Sequence, residues 1–145
     1  MPDTMKLTFE SKSVNEGFAR AAVAAFVARL DPNLEELNDV KTAVSEAVTN
    51  CIVHAYPAEV GLIHITAVTD AAAGTVRVTI RDSGVGIADV ARARTAMFTT
   101  GGAERSGMGF TVMESFMDEV RVRSKLGRGT TVTLMRRITP RIGGR

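Results

Sequence analysis

One cysteine, no tryptophan and no long apolar run mark this chain, and each scarcity removes a class of protein. A lone Cys51 cannot close an internal disulfide, so a packed core must hold the fold. It falls on the apolar stripe of a predicted helix and reads as a small buried side chain with no chemistry of its own. A bilayer-spanning helix needs roughly 20 consecutive apolar residues, and no segment offers them. The opening Met1-Pro2-Asp3-Thr4-Met5-Lys6 has no apolar core of a signal peptide. These features predict a cytoplasmic protein with no membrane contact. Aromatic residues make up only 5% of the chain, the net charge is +2, and no basic stripe with interleaved aromatics is present. Despite a pI near 9.0, this argues against direct nucleic-acid binding. The closing Arg136, Arg137, Arg141 and Arg145 read as a solvated basic tail over about residues 137–145.

What is present suits one domain, residues 1–145, with 45% hydrophobic and 23% charged residues. Lys6, Thr8 and Glu10 alternate with Leu7, Phe9 and Ser11 as a first strand. Ser13 and Glu16 form a capping-box pattern ahead of a helix whose stripe is Val14, Phe18, Ala21, Ala22, Ala25, Phe26 and Leu30, ending at Asp31-Pro32. Asn33 and Glu36 repeat the pattern before a longer helix with Val40, Val44, Ala47, Val48, Cys51, Ile52 and Ala55 on its apolar side, ending near Tyr56-Pro57. Strands over 62–69 and 75–82 follow, with Gly74 at the turn. Alternation in the second of these favours an antiparallel sheet covered by helices on one side over a parallel doubly wound sheet. A broken stretch at about 88–109, with a short helical piece over 90–97, predicts a lid. A helix over 110–117 and strands over 119–124 and 130–136 complete the chain.

Three short motifs carry the chemistry. Glu46, Asn50 and His54 fall on one line along the border of the long helix. A Glu and an Asn so placed suit proton acceptance and Mg²⁺ binding, although any polar helix edge can carry that pair. Asp82-Ser83-Gly84-Val85-Gly86 lies at a strand end, where the carboxylate can accept an adenine amino group and Gly84 and Gly86 remove side chains at points where backbone must approach a flat ligand or adopt positive φ. Taken alone, it better suits a tight turn with an Asp cap. Gly107-Met108-Gly109-Phe110 opens a helix whose free amides can meet phosphate oxygens, with Arg105 before them as a clamp. It is neither a P-loop nor a Rossmann fingerprint, because no Lys-Ser or Lys-Thr pair and no βαβ unit accompany the glycines.

In this order the motifs resemble the N, G1 and G2 boxes of the Bergerat-type ATP-binding fold of gyrase, heat-shock chaperone and histidine-kinase ATPase domains. That likeness implies an α/β (α+β) two-layer sandwich: a mixed, mostly antiparallel sheet with helices on one face. It implies Glu46 as general base, Asn50 as the Mg²⁺ ligand and Asp82 at adenine, with Gly129-Thr130 supporting the adenine contact. Glu46-Ala47-Val48-Thr49-Asn50, His54-Ala55-Tyr56, Phe98-Thr99-Thr100 and Arg105-Ser106-Gly107-Met108-Gly109-Phe110 are similar to the bacterial anti-sigma serine kinases. Asn15-Glu16-Gly17-Phe18-Ala19-Arg20, Ala24 to Ala28 and Met113 to Val120 point to the sporulation anti-sigma-F group. One departure is the short Gly101-Gly102-Ala103-Glu104 segment, which lacks an expected lysine.

The resemblance implies a homodimeric anti-sigma factor and ATP-dependent protein serine kinase. In its ATP state it would hold a sigma-F type RNA polymerase sigma factor inactive, and it would phosphorylate an anti-anti-sigma protein on serine. Its cofactors would be ATP or ADP with Mg²⁺. Glu46 and Arg105 would be catalytic; Asn50, Asp82, Gly84, Gly86, Thr99, Gly107, Met108, Gly109, Phe110 and Thr130 would bind nucleotide. Arg20 reads either as a partner contact or as a solvated charge. His54 reads as a structural histidine at the helix end and stays outside the site. The alternatives are a general stress-response anti-sigma kinase, a nucleotide-gated binding module without phosphotransfer, and a severed histidine-kinase catalytic domain.

Overall fold

A computed structural model describes residues 2–91 and 109–139. Strand β1 (Asp3–Glu10) pairs with β2 (Leu62–Asp70), which pairs with β3 (Thr75–Asp82) across a turn closed by Gly74 at φ +66°. Strands β4 (Glu119–Lys125) and β5 (Gly129–Arg137) form a hairpin, and β5 lies against β3. The sheet order is β1-β2-β3-β5-β4, and all four pairings are antiparallel. The alternation in β3 is borne out: Val76, Val78, Ile80 and Asp82 face inward while Arg77 and Arg81 face solvent.

Helices α1 (Val14–Val27), α2 (Leu34–Asn50) and α3 (Phe110–Phe116) cover the inward face. Val40, Ala43, Val44, Ala47 and Val48 of α2 pack with Ile63, Ile65, Val78, Ile80 and Leu134 in one continuous core. The capping box at the start of α2 is formed as its sequence predicts. Asn33 Oδ1 accepts from the Glu36 amide at 2.7 Å, and Glu36 Oε1 accepts from the Asn33 amide at 2.9 Å.

Three expectations need correction. Ser13 makes no capping bond, because its backbone is already helical (φ −57°, ψ −31°); the Glu16 carboxylate instead accepts from Ser45 Oγ at 2.7 Å. The buried stripe of α1 is Ala19, Val23 and Val27, whereas Val14 and Phe18 are 77% and 54% exposed. Apolar residues surround this helix, so its periodicity fits two faces and packing selects one. Finally, Arg136 and Arg137 belong to β5 and not to a free tail. Arg136 pairs with Asp39 at 2.9 Å, Ile138 is buried, and the Thr139 amide donates to Glu36 Oε2 at 2.7 Å. The rest of the predicted tail, residues 140–145, lies outside the described residues, as does most of the predicted lid and its helical piece. Among the described residues, no helix is long and apolar enough to cross a membrane.

Candidate active site

The carboxyl end of α2 does not simply stop. It widens into a π-helical turn over Cys51–Ala55, a local feature frequent at functional sites. Ala47, Asn50, Cys51, His54 and Ala55 thereby form one wall of a cavity of about 160 Å³. Val85, Gly86 and Ile87 form another, and Asp82, Thr130, Val132 and Phe110 close it. A cavity of roughly 150 Å³ admits a benzene-sized ring; this one is therefore sized for a flat heteroaromatic base and not for a whole nucleotide.

Asp82 is the polar floor of this largely apolar space and is only 5% exposed. Its Oδ1 accepts from the amides of Gly84 at 2.9 Å and Thr130 at 3.2 Å. Its Oδ2 accepts from Cys51 Sγ at 3.4 Å. Burial, reinforced by the adjacent Asp82 charge, pushes the Cys51 thiol well above its ordinary pKa, so it stays protonated and donates. Cys51 is buried as its sequence position predicts, but it touches the carboxylate that defines the cavity.

The loop after β3 is anchored from both sides. The Val85 amide donates to the Ala55 carbonyl at 2.9 Å, and the Gly127 amide donates to the Val85 carbonyl at 2.7 Å. A side chain on Gly84 would strike the Ala55 carbonyl, and one on Gly86 (φ +77°) would strike the Lys125 carbonyl. Gly84 thus clears space for neighbouring backbone and not for a ligand, whereas Gly86 takes the positive φ that its motif predicts. Tyr56 ties the same loop down: its hydroxyl accepts from the Ser83 amide at 2.7 Å and donates to the Leu62 carbonyl at 2.9 Å.

One helical turn before Asn50, Glu46 lies outside the cavity in a separate groove of about 270 Å³, with Arg20, Lys41 and Ser45. Gly109, at φ +66°, begins α3 directly against the Glu46 side chain. Burial raises the pKa of Glu46, and the nearby Glu16 charge raises it further. Glu16 is held there by Ser45 and by an ion pair with Arg20 at 3.4 Å. The groove places a carboxylate of increased basicity beside two cationic side chains.

Of the residues predicted from sequence, Asn50, Asp82, Gly86, Phe110 and Thr130 line the cavity, Gly84 sits in its loop, Glu46 and Arg20 line the separate groove, and Gly109 lies against Glu46. Thr99, Arg105, Gly107 and Met108 lie outside the described residues. His54, read from the sequence as a structural histidine at the helix end, lines the cavity as well. Sequence reasoning gave no role to Ser124, which bonds three groups at the cavity edge and belongs to no recognised motif, or to Tyr56, which entered only through the His54-Ala55-Tyr56 likeness; the folded hairpin and loop bring both there.

Comparison with known proteins accords with this geometry. Residues 9–136 match the model of the histidine kinase-like ATPase domain. The chain is 53% identical over 141 residues to the anti-sigma F factor of a Geobacillus species, covering 96% of this chain and 95% of that protein. It is 53% identical over 136 residues to the anti-sigma F factor of Caldanaerobacter subterraneus subsp. tengcongensis, covering 92% of this chain and 93% of that protein. Its fold superposes on the crystal structure of the RsbU and RsbW domains of Rv1364c from Mycobacterium tuberculosis with a TM-score of 0.67 at 22% identity, over 94% of this chain and 32% of that one.

Proposed function

The chain belongs to the histidine kinase-like ATPase domain family and, within it, to the anti-sigma F factors, and on that premise we propose that it is an ATP-dependent anti-sigma serine kinase. In this reading it holds a sigma-F type sigma factor inactive in the ATP state and phosphorylates an anti-anti-sigma protein on serine. The observation that carries it is a base-sized cavity floored by the Asp82 carboxylate, with Glu46 one helical turn before the Asn50 of its wall.

The adenine lies in the cavity, its amino group donating to Asp82, and the phosphates run past Asn50 towards Glu46. Glu46 takes the proton of the incoming serine hydroxyl. Its raised pKa brings its basicity closer to the working pH, which favours general-base catalysis. Among the described residues, no group of three or more His, Cys, Asp or Glu side chains could hold a metal. In this reading Mg²⁺ is carried mainly by substrate phosphates and water, with the Asn50 amide oxygen as its protein ligand. When bound, the ion neutralises triphosphate charge. Thr99, Arg105, Gly107 and Met108 complete the phosphate contacts in this reading, Arg105 as the clamp on the transferred group. Arg20 and Lys41 present charge to the protein partner, and the exposed Val14 and Phe18 of α1 are available to a second copy in a homodimer.

Glu46→Gln is the test. It should keep nucleotide and sigma-factor binding and reduce phosphotransfer by about 10²- to 10⁴-fold, the usual worth of a general base. Undiminished transfer would end the assignment of Glu46, and a pull-down against sigma factors separates a sigma-F type partner from a general stress-response one.

A further inference from the structure

Ser124 stands on β4 opposite Thr130 of β5, at the edge of the cavity, and its hydroxyl touches three groups. The Ile87 amide donates to Ser124 Oγ at 2.7 Å. Ser124 Oγ lies 2.9 Å from the Gly129 carbonyl and 2.7 Å from Thr130 Oγ1. A serine hydroxyl has one proton and two lone pairs, and so has a threonine hydroxyl. Only one placement of these two protons makes all three contacts hydrogen bonds: Thr130 donates to Ser124, and Ser124 donates to the Gly129 carbonyl, which has no proton of its own to give. The Thr130 proton is then turned away from the cavity that Thr130 lines.

We infer that Ser124 is a positioning residue for base selection: by accepting the Thr130 proton it leaves Thr130 Oγ1 as a pure acceptor towards the bound base. Thr130 stands beside Asp82, whose carboxylate accepts from the Thr130 amide at 3.2 Å. The polar corner of the cavity thus offers lone pairs from two side chains. At C6 an amino group brings donors to that corner, whereas an oxo group there brings a third acceptor and is disfavoured. Ser124 also joins the Gly86-Ile87 loop to the β4–β5 hairpin, so the same hydroxyl fixes the loop and the polarity of the corner.

The inference rests on the cavity being the nucleotide-base site. Its test is the affinity of the full chain for ATP and for ITP, which carries oxygen in place of the C6 amino group, measured by calorimetry for the wild type, Ser124→Ala and Thr130→Val. In Ser124→Ala the Thr130 proton is free to turn into the cavity and meet the ITP oxygen, so the preference for ATP should narrow by about five- to tenfold, the worth of one hydrogen bond. Thr130→Val, which leaves Ser124 bonded to Ile87 and Gly129, should narrow it as well and keeps the test alive if the alanine variant does not fold. Equal weakening of ATP and ITP in either variant, with the ratio unchanged, would overturn the role of Ser124 while leaving the nucleotide site intact. A wild-type chain that binds neither nucleotide would remove the site and the inference together.

Discussion

Replacing Asp82 with asparagine changes one oxygen into an amide nitrogen at almost constant volume, so it isolates the electrostatics of the cavity floor. Oδ1 already accepts from the Gly84 and Thr130 amides at 2.9 and 3.2 Å, and it must remain an oxygen for those bonds to survive. The new NH₂ group therefore takes the place of Oδ2, facing Cys51 and the cavity. A bound adenine amino group then meets a donor where it met a carboxylate. A hydrogen bond to a charged group contributes about 1.5–3 kcal/mol, which at 1.4 kcal/mol per decade predicts ATP binding weaker by roughly 10- to 150-fold. The folded state loses less. The two amide bonds persist with a neutral acceptor, a cost of about 1 kcal/mol, or roughly 3–4 °C in Tm for a domain of this size. Calorimetric titration with ATP and thermal unfolding of the same preparation separate the two effects. ATP affinity within twofold of wild type in a folded Asp82→Asn variant would refute the placement of adenine on this carboxylate.

Two further outcomes follow from other contacts. Burial and then Glu16 raise the Glu46 pKa, so phosphotransfer should rise with pH through a midpoint above that of an ordinary glutamate. Glu16→Gln removes the second cause and should move that midpoint down in a pH–rate profile; an unmoved or raised midpoint would contradict the coupling. Glu36→Ala strips the acceptor from the Asn33 and Thr139 amides, bonded at 2.9 and 2.7 Å, on a side chain only 3% exposed. Two amides left without partners predict a loss of about 3 kcal/mol and, at roughly 3 °C per kcal/mol, a Tm lower by about 10 °C. Burial alone would raise the Glu36 pKa, but the Thr139 and Asn33 amides and the Arg136 charge outweigh it and leave it lowered. This contribution is therefore present above the unfolded glutamate pKa of about 4.3 and fades as pH falls through the lower folded value. A difference between variant and wild type that grows on acidification would contradict it.

The helix–strand order was legible because each signal was local. Asn33 and Glu36 announce α2, Gly74 announces the β2–β3 turn, and the alternation from Thr75 to Asp82 announces a one-sided strand. The stripe of α1 was not legible, since alanines and large apolar residues on several sides let two faces satisfy the same period. Ser13 failed as a cap because the chain leaving β1 is already helical there, and capping needs an extended residue. At the site, residues set in glycine-rich motifs stood out before any coordinates, as with Asp82, Gly84, Gly86 and Gly109. Ser124, Tyr56 and the Cys51–Asp82 bond did not, because each acts through partners between 6 and 37 positions away that only the tertiary fold supplies.

The central claim is phosphotransfer to a protein serine, and it is tested most directly by incubating the purified chain with Mg-ATP labelled at the γ-phosphate and candidate anti-anti-sigma proteins, followed by phosphoamino-acid analysis. The account predicts acid-stable phosphoserine on one of those proteins, lost in Glu46→Gln. Label on histidine, or tight ATP binding with no transfer to any of them, would contradict it.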